Sequence, residues 1–230
     1  MAFRIFTPAE VMLWAATPIV LAVMALLFGT LPLVLGRRTG YLAAFALYWL
    51  GFGLAYPLFL VGPAKLLAAL RPAPLPAGLA GAGVALLLIG PPLGAGLTYF
   101  RPRLAELTPA VLAVSALLAL ANGTAEELLW RAAPVAAFPH QPLLALVVPA
   151  LGFGAWHLAP QIVLPSGGRG GAGAFVLAAV VLGLCYGAVV YLTGSVVLAI
   201  ASHVLTDFLG LGGLAYLPAR SGAVSALAEY

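Results

Sequence analysis

The chain has 230 residues, of which 64% are hydrophobic and only 7% are charged, and its formal net charge is +4. Soluble domains carry about 25% charged residues, so the composition excludes a soluble globular protein and predicts a polytopic membrane protein. The single cysteine, Cys185, excludes a disulfide scaffold. The basic residues are scattered along the chain, so we expect no nucleic-acid partner.

Seven apolar runs are long enough to be considered as membrane spans, which need about 20 residues. In chain order they are Val11–Leu35, Tyr41–Val61, Ala77–Phe100, Leu107–Ala121, Leu143–Ala159, Ala172–Leu192 and Val196–Leu217. The runs are continuously apolar and do not alternate as barrel strands do, so helices are predicted. The first run is too long for a cleavable signal peptide, and we expect a retained helix. The predicted fold is all-α, a polytopic transmembrane helical bundle of seven to eight helices, with residues 1–230 forming a single integral membrane domain.

Ionisable residues inside the apolar runs are concentrated in the C-terminal half of the chain. They are Glu126, Glu127, Arg131, His157, His203 and Asp207. An ionisable group at the middle of a membrane costs roughly 2.5–3.5 kcal/mol, so each of these residues requires a partner or a function. Glu127 and Arg131 are four residues apart and share a helix face, and so do His203 and Asp207. The spacing predicts polar helix faces that meet in a shared interior.

A polar stretch, Asn122–Thr124, interrupts the apolar run that precedes the two glutamates. Thr124 and Glu127 have the spacing of a capping box, which predicts that a new, short helix begins at Thr124. Glu126 would then lie in the first turn, where the helix dipole favours a negative charge. The alternative is one long helix that is kinked at Gly123.

Three segments with these residues resemble the motifs of a known family. Glu126–Arg131 (EELLWR) resembles the E-E-x-x-x-R motif of the CAAX protease and bacteriocin-processing (Abi) family. Phe153–His157 (FGAWH) is similar to its F-x-x-x-H motif, and His203–Asp207 (HVLTD) to its H-x-x-x-N or H-x-x-x-D motif. The motifs occur in the family's order within residues 107–211, which we take as a family-like catalytic core. Residues 1–106 resemble the family only as additional N-terminal spans.

The resemblance implies an intramembrane endopeptidase that hydrolyses a peptide bond with glutamate-activated water and no covalent acyl-enzyme. It implies Glu126 as the general base and His157 as a residue that holds or polarises the water. It also implies that His203 and the residue at position 207 stabilise the oxyanion. Asp207 departs from the asparagine of the prenyl-protein enzymes, and a carboxylate donates a hydrogen bond only when it is protonated. Asp207 could therefore orient His203 instead.

The remaining motif residues have supporting roles in this resemblance. Glu127 and Arg131 would form a structural ion pair, and Phe153 would support the site. The chemistry agrees with a glutamate base, because a carboxylate becomes a useful base when it is partly removed from water. No cofactor is expected, although a zinc ion bound by Glu126, His157 and His203 is left open as an alternative. The expected partners are the lipid bilayer and a membrane-embedded or lipidated peptide or protein, such as a prenylated or leader-type substrate. The expected location is the cell membrane.

Other functions remain open at this stage. A non-catalytic membrane scaffold or immunity-type protein of the same family would use the polar cluster only to hold the bundle together. A small proton-coupled transporter would also bury carboxylates and histidines, but the chain shows no internal repeat. Four aromatic residues are predicted to be anchors at the membrane interface: Trp14, Tyr48, Trp49 and Tyr99.

Overall fold

A computed structural model describes residues 8–165 and 170–215. Within these ranges the chain folds into helices and forms no strand. Six helices are long and apolar enough to cross a membrane, and a shorter apolar helix follows them. The predicted all-α membrane bundle is therefore confirmed, and the chain is a multi-pass membrane protein.

Eight helices make up the described part of the chain. They are α1 (Pro8–Leu35), α2 (Arg37–Val61), α3 (Pro63–Ala69), α4 (Gly78–Glu106), α5 (Pro109–Ala137), α6 (Leu143–Ile162), α7 (Gly171–Thr193) and α8 (Val197–Leu209). Helix α8 is shorter than the predicted run Val196–Leu217, because Gly210 follows it and Leu211 adopts a left-handed φ of 58°. Residues 216 and 217 of that run lie outside the described residues.

Helix α5 corrects the prediction of a new helix at Thr124. The helix begins at Pro109, where the Thr108 side chain accepts a hydrogen bond from the backbone N–H of Val111 at 3.1 Å. It continues through Gly123 to Ala137. Thr124 therefore lies in the interior of the helix, and Glu126 is not in a first turn. A threonine followed by proline is the stronger start signal, and the alternative of one long helix is the observed one.

Four helices contain a wider, π-helical segment that ends two residues before a proline. These segments are Tyr48–Ala55 before Pro57, Gly96–Phe100 before Pro102, Leu128–Ala132 before Pro134, and Leu143–Val147 before Pro149. Proline has no N–H, and its ring clashes with the carbonyl four residues earlier. In all four helices that carbonyl lies within the π-helical segment, so the wider turn accommodates the proline without ending the helix.

Two cores lie on either side of α5. The aromatic core contains side chains of α1, α2, α5 and α6, among them Phe28, Tyr48, Trp130, Phe153 and Trp156. The aliphatic core contains side chains of α3, α5, α7 and α8, among them Leu66, Leu128, Ala132, Val190 and Ala199. The glutamates of α5 immediately precede the residues that α5 contributes to both cores, which places the ionisable cluster between them.

The prediction of interface anchors fails at two of the four aromatic residues. Tyr48 is fully buried, and Trp49 is half-buried with its indole N–H bonded to Asn122. Both face the interior because they belong to the polar site and its supporting core. Tyr99 is 45% exposed, as an anchor would be. The side chain of Trp14 lies outside the described residues.

Helix α8 packs against α5 and α4, and α6 packs against α7 and α1. Helices α5 and α8 are in close contact at Gly123, where an added Cβ would lie 3.0 Å from the backbone nitrogen of Val204. This close approach places His203 and Asp207 beside the glutamates of α5.

Candidate active site

Glu126 is the central carboxylate of the cluster, and its side chain is 1% exposed. Its Oε1 accepts a hydrogen bond from Trp156 Nε1 at 2.6 Å, and its Oε2 accepts one from Asn122 Nδ2 at 3.1 Å. His203 Nε2 lies 3.4 Å from the same Oε2 atom. Glu126 is therefore held by groups from α5, α6 and α8, and its orientation is fixed in the apolar interior.

His203 links the carboxylates of the cluster. Its Nδ1 lies 2.7 Å from Glu127 Oε1, and its Nε2 lies 3.6 Å from Asp207 Oδ1. An ionised carboxylate only accepts hydrogen bonds, so Nδ1 carries a hydrogen. Carboxylate oxygens face Nε2 as well, so the protonated ring, in which both nitrogens carry a hydrogen, suits this environment. Because the contacts at Nε2 are longer, its N–H can be donated to another acceptor.

Glu127 and Arg131 form a buried ion pair at the site. Arg131 Nη1 lies 2.9 Å from Glu127 Oε1, and the two side chains are 1% and 0% exposed. The guanidinium also lies 4.0 Å above the centre of the Phe153 ring. The charge of Glu127 and the cation–π contact with Phe153 both offset the cost of burying the Arg131 guanidinium.

Phe153 lies next to both histidines. Its ring centre is 4.6 Å from that of His157 and 5.9 Å from that of His203, and it meets both rings edge to face. His157 Nδ1 lies 2.7 Å from the carbonyl oxygen of Phe153, to which it must donate because a carbonyl only accepts. In the neutral ring the Nε2 of His157 then carries a lone pair.

The set of residues that could bind a metal differs from the one suggested by the sequence. Among the described residues, Glu126, His203 and Asp207 have ligand atoms that all lie within 4.8 Å of one another. His157 does not belong to this group, so the alternative set of Glu126, His157 and His203 is not the one that the fold assembles. His157 directly follows the α-helical segment Val148–Trp156 within α6, and its Nδ1 is hydrogen-bonded to the backbone carbonyl of Phe153.

Four functional contacts, made by three residues, were missed from the sequence. Asn122 Nδ2 lies 2.9 Å from Asp207 Oδ2 as well as 3.1 Å from Glu126 Oε2. Trp49 Nε1 donates to Asn122 Oδ1 at 3.0 Å, and Trp156 donates to Glu126. Asn122 precedes Glu126 by four residues, which places both on one face of a continuous helix. That signal was obscured by the predicted helix start at Thr124.

The residues of the site differ in their exposure to solvent. Glu127, Arg131, Glu126 and His203 are buried, whereas Asp207 is 27% exposed and Asn122, Trp49 and His157 are half-buried. A water molecule or a polar group can therefore approach Glu126 from the side of Asn122 and Asp207. The arrangement offers a desolvated carboxylate and an imidazole within one site, which is the equipment of general acid–base chemistry.

Comparison with protein families matches residues 108–209 to a family described as "Type II CAAX prenyl endopeptidase Rce1-like". The matched segment begins just before α5 and ends with α8, and it contains all the ionisable residues of the site. Comparisons with curated proteins and with solved structures gave no match.

Proposed function

Because residues 108–209 match the type II CAAX prenyl endopeptidase Rce1-like family, we propose that this multi-pass membrane protein is an intramembrane endopeptidase of the glutamate type. The observation that carries the proposal is the environment of Glu126. It is a buried carboxylate, oriented by two N–H donors, with an imidazole 3.4 Å away and an approach from one side.

Glu126 is proposed to take the proton of the attacking water. A carboxylate offers about four acceptor positions, and the hydrogen bonds from Trp156 and Asn122 occupy two of them. Acceptor positions therefore remain for the O–H of a water molecule. The oxygen of that water forms a bond to the carbonyl carbon of the substrate as its proton passes to Glu126, and no acyl-enzyme is formed. His157 Nε2, which can accept a hydrogen bond, is proposed to hold the second hydrogen of the water.

His203 is proposed to stabilise the oxyanion of the tetrahedral intermediate. Glu127 holds Nδ1 of the ring at 2.7 Å, so Nε2 is the atom that can face the substrate oxygen. Collapse of the intermediate breaks the C–N bond, and the proton held on Glu126 passes to the leaving amine. Asp207 lies 3.6 Å from His203 Nε2 and is proposed to orient the ring rather than to contact the oxyanion.

We propose that the reaction needs no metal ion. A bridging cation would be bound by carboxylate oxygens of Glu126 and Asp207, but one oxygen of each faces the amide NH2 of Asn122 at 3.1 and 2.9 Å. Trp49 donates to the oxygen of the same amide, which prevents that oxygen from turning toward a cation. The donor set therefore fits a hydrogen-bonded carboxylate pair better than a zinc site. The expected outcome is that wild-type cleavage is insensitive to EDTA and 1,10-phenanthroline, and loss of activity that zinc restores would contradict it.

The proposed substrates are membrane-embedded or lipidated peptides of the cell membrane, including prenylated and leader-type peptides. A buried site between apolar helices favours a substrate that already resides in the bilayer. The match to a prenyl endopeptidase family supports the prenylated class of substrate.

The test is a comparison of peptide termini in membranes that contain wild type or Glu126→Gln at equal abundance. The substitution keeps the shape of the side chain and removes the base. Glu106→Gln, at the end of α4, is the matched control. New termini that are present with wild type and with the control, and absent with Glu126→Gln, support the proposal and identify the substrate. Identical termini with all three proteins would overturn it in favour of a scaffold.

A further inference from the structure

The Asn122 side chain hydrogen-bonds both to the buried carboxylate of Glu126 and to the half-buried carboxylate of Asp207. Its Nδ2 lies 3.1 Å from Glu126 Oε2 on the same helix and 2.9 Å from Asp207 Oδ2 on α8. An amide NH2 has two hydrogens, so one can be donated to each carboxylate. The amide therefore joins α5 and α8 at the reacting end of the site.

The orientation of this amide follows from chemistry. The oxygen and nitrogen of an asparagine side chain are easily interchanged in a structure, and the hydrogen-bond partners decide between them. The indole N–H of Trp49 is a donor only, and it lies 3.0 Å from Oδ1. The atom that faces Trp49 must accept, so the NH2 group faces the two carboxylates.

The amide also offsets a repulsion. Ligand oxygens of Glu126 and Asp207 lie within 4.8 Å of each other, and two carboxylates at that separation in a largely buried site repel strongly. A shared NH2 between them supplies positive hydrogens to both. Without the shared NH2 group, the two carboxylates would move apart. Glu126 would then lose the orientation in which it can accept the O–H of the attacking water.

We propose that Asn122 is a positioning residue of the hydrolytic reaction, which orients the carboxylates of Glu126 and Asp207. Trp49 fixes the orientation of the Asn122 amide. This inference rests on the proposed function. The amide on α5 supplies the hydrogen-bond donor that the carboxylate of Asp207 on α8 does not provide. The acid–amide–acid arrangement is thus divided between two helices.

The decisive experiment exchanges the amide and the carboxylate. It uses purified full-length protein and a fluorogenic peptide that spans the cleavage site identified in the comparison of termini. Asn122→Asp places a third carboxylate against the other two, and kcat is expected to fall at least 100-fold. In the double variant Asn122→Asp/Asp207→Asn, an amide again faces a carboxylate across α5 and α8. The double variant is expected to recover at least tenfold in kcat over Asn122→Asp alone.

A second pair of variants separates positioning from folding. Trp49→Phe leaves Asn122 in place but removes its anchor, and kcat is expected to fall three- to tenfold at an unchanged KM. Trp130→Phe is the matched control, because its indole N–H donates to Tyr48 rather than to the site amide. Wild-type kcat is expected for this control at matched folded protein.

Three results would overturn the inference. They are a double variant no better than Asn122→Asp, wild-type kcat in Asn122→Ala, and losses of kcat that match the loss of folded protein. If wild type cleaves and Glu126→Gln does not, these results remove only the role of Asn122. If wild type and Glu126→Gln give identical termini, the proposed function fails, and the inference falls with it.

Discussion

At the scale of single residues, Glu127 connects the reacting groups to the body of the protein. Its Oε1 atom faces Arg131 Nη1 at 2.9 Å and His203 Nδ1 at 2.7 Å. The side chain is fully buried, so these two contacts replace the water that Oε1 would otherwise bind, whereas Oε2 is buried without a hydrogen-bond partner among the described residues. Glu127 therefore both neutralises Arg131 and orients the His203 ring through its Nδ1–H.

Glu127→Gln is expected to destabilise the protein by about 3–5 kcal/mol, because it leaves the buried Arg131 charge without its partner. The free energy of unfolding can be measured by SDS titration of the purified protein in mixed micelles. The double variant Glu127→Leu/Arg131→Met removes both charges and is expected to recover most of the lost stability. Wild-type stability in Glu127→Gln would show that the pair is not the structural anchor of the site.

Trp156 offers a test of the base that preserves the ring packing around it. Its indole N–H donates to Glu126 at 2.6 Å, and its ring stacks on Tyr48 with centres 3.8 Å apart. Trp156→Phe removes a hydrogen bond to a charged group, worth about 1.5–3 kcal/mol. If that bond holds Glu126 for the transition state, kcat should fall by about 10- to 100-fold.

Steady-state kinetics on the fluorogenic peptide would check the Trp156 prediction. Trp130→Phe serves again as the control, since it removes an indole donor from the same aromatic core without touching Glu126. Equal losses in both variants would mean that the kinetic effect comes from core packing and not from the carboxylate.

The sequence could predict the ionisable residues of the site but not the groups that orient them. Glu126, His203 and Asp207 were detectable because ionisable residues are conspicuous in apolar helices. Trp49 and Trp156 were not, because an indole is compatible with a core, an interface or a hydrogen bond, and only its three-dimensional neighbours decide. Asn122 was noticed as a polar interruption, yet its two carboxylate partners depend on the approach of a distant helix.

At the scale of helices, the approach of α8 to α5 decides whether the site exists. Gly123 lies in close contact with α8, and the nearest atoms of α8 include the backbone of Val204, next to His203. In the sequence analysis this glycine was considered only as the position of a kink, in the alternative of one long helix. In the structure its lack of a side chain lets another backbone come close, a use of glycine that local patterns do not reveal.

Gly123→Ala is therefore expected to impair the protein more than an ordinary helix substitution. The added Cβ would lie 3.0 Å from Val204 N and 3.2 Å from Val204 Cα, and a backbone cannot rotate away as a side chain can. Overpacking of this kind costs about 1–3 kcal/mol, and a displaced α8 would weaken the His203–Glu127 contact. Reduced cleavage and reduced thermal stability are both expected.

Gly94→Ala is the matched control for this prediction, because an added Cβ at Gly94 of α4 meets no atom within 4 Å. Alanine is favoured over glycine inside a helix by about 1 kcal/mol, so this variant should be as stable as wild type or more so. Equal behaviour of the two variants would contradict the role assigned to Gly123.

At the scale of the whole molecule, the site is not confined to the segment that matches the family. The N-terminal helices supply Trp49, which anchors Asn122, and Tyr48, which stacks on Trp156. Helix α1 adds Phe28 to the same aromatic core. The sequence divided the chain into generic spans and a catalytic core because motifs report reacting residues, whereas packing between distant helices leaves no local pattern.

This distribution of contacts predicts how the protein responds to division between α4 and α5. Residues 107–230 expressed alone would lack the partners of Asn122 and Trp156 and would expose the α5 and α6 surfaces of the aromatic core. We expect this fragment to accumulate poorly and to cleave no substrate. Co-expression with residues 1–106 as a separate chain should allow both fragments to purify together and should restore cleavage, because helices that are stable in a membrane can associate by packing.

The measurement is co-purification through a tag on one fragment, followed by the fluorogenic peptide assay, with Glu126→Gln in residues 107–230 as the inactive reference. A fragment of residues 107–230 that folds and cleaves alone would show that the N-terminal helices are dispensable, and that the Trp49 and Tyr48 contacts do not hold the site together.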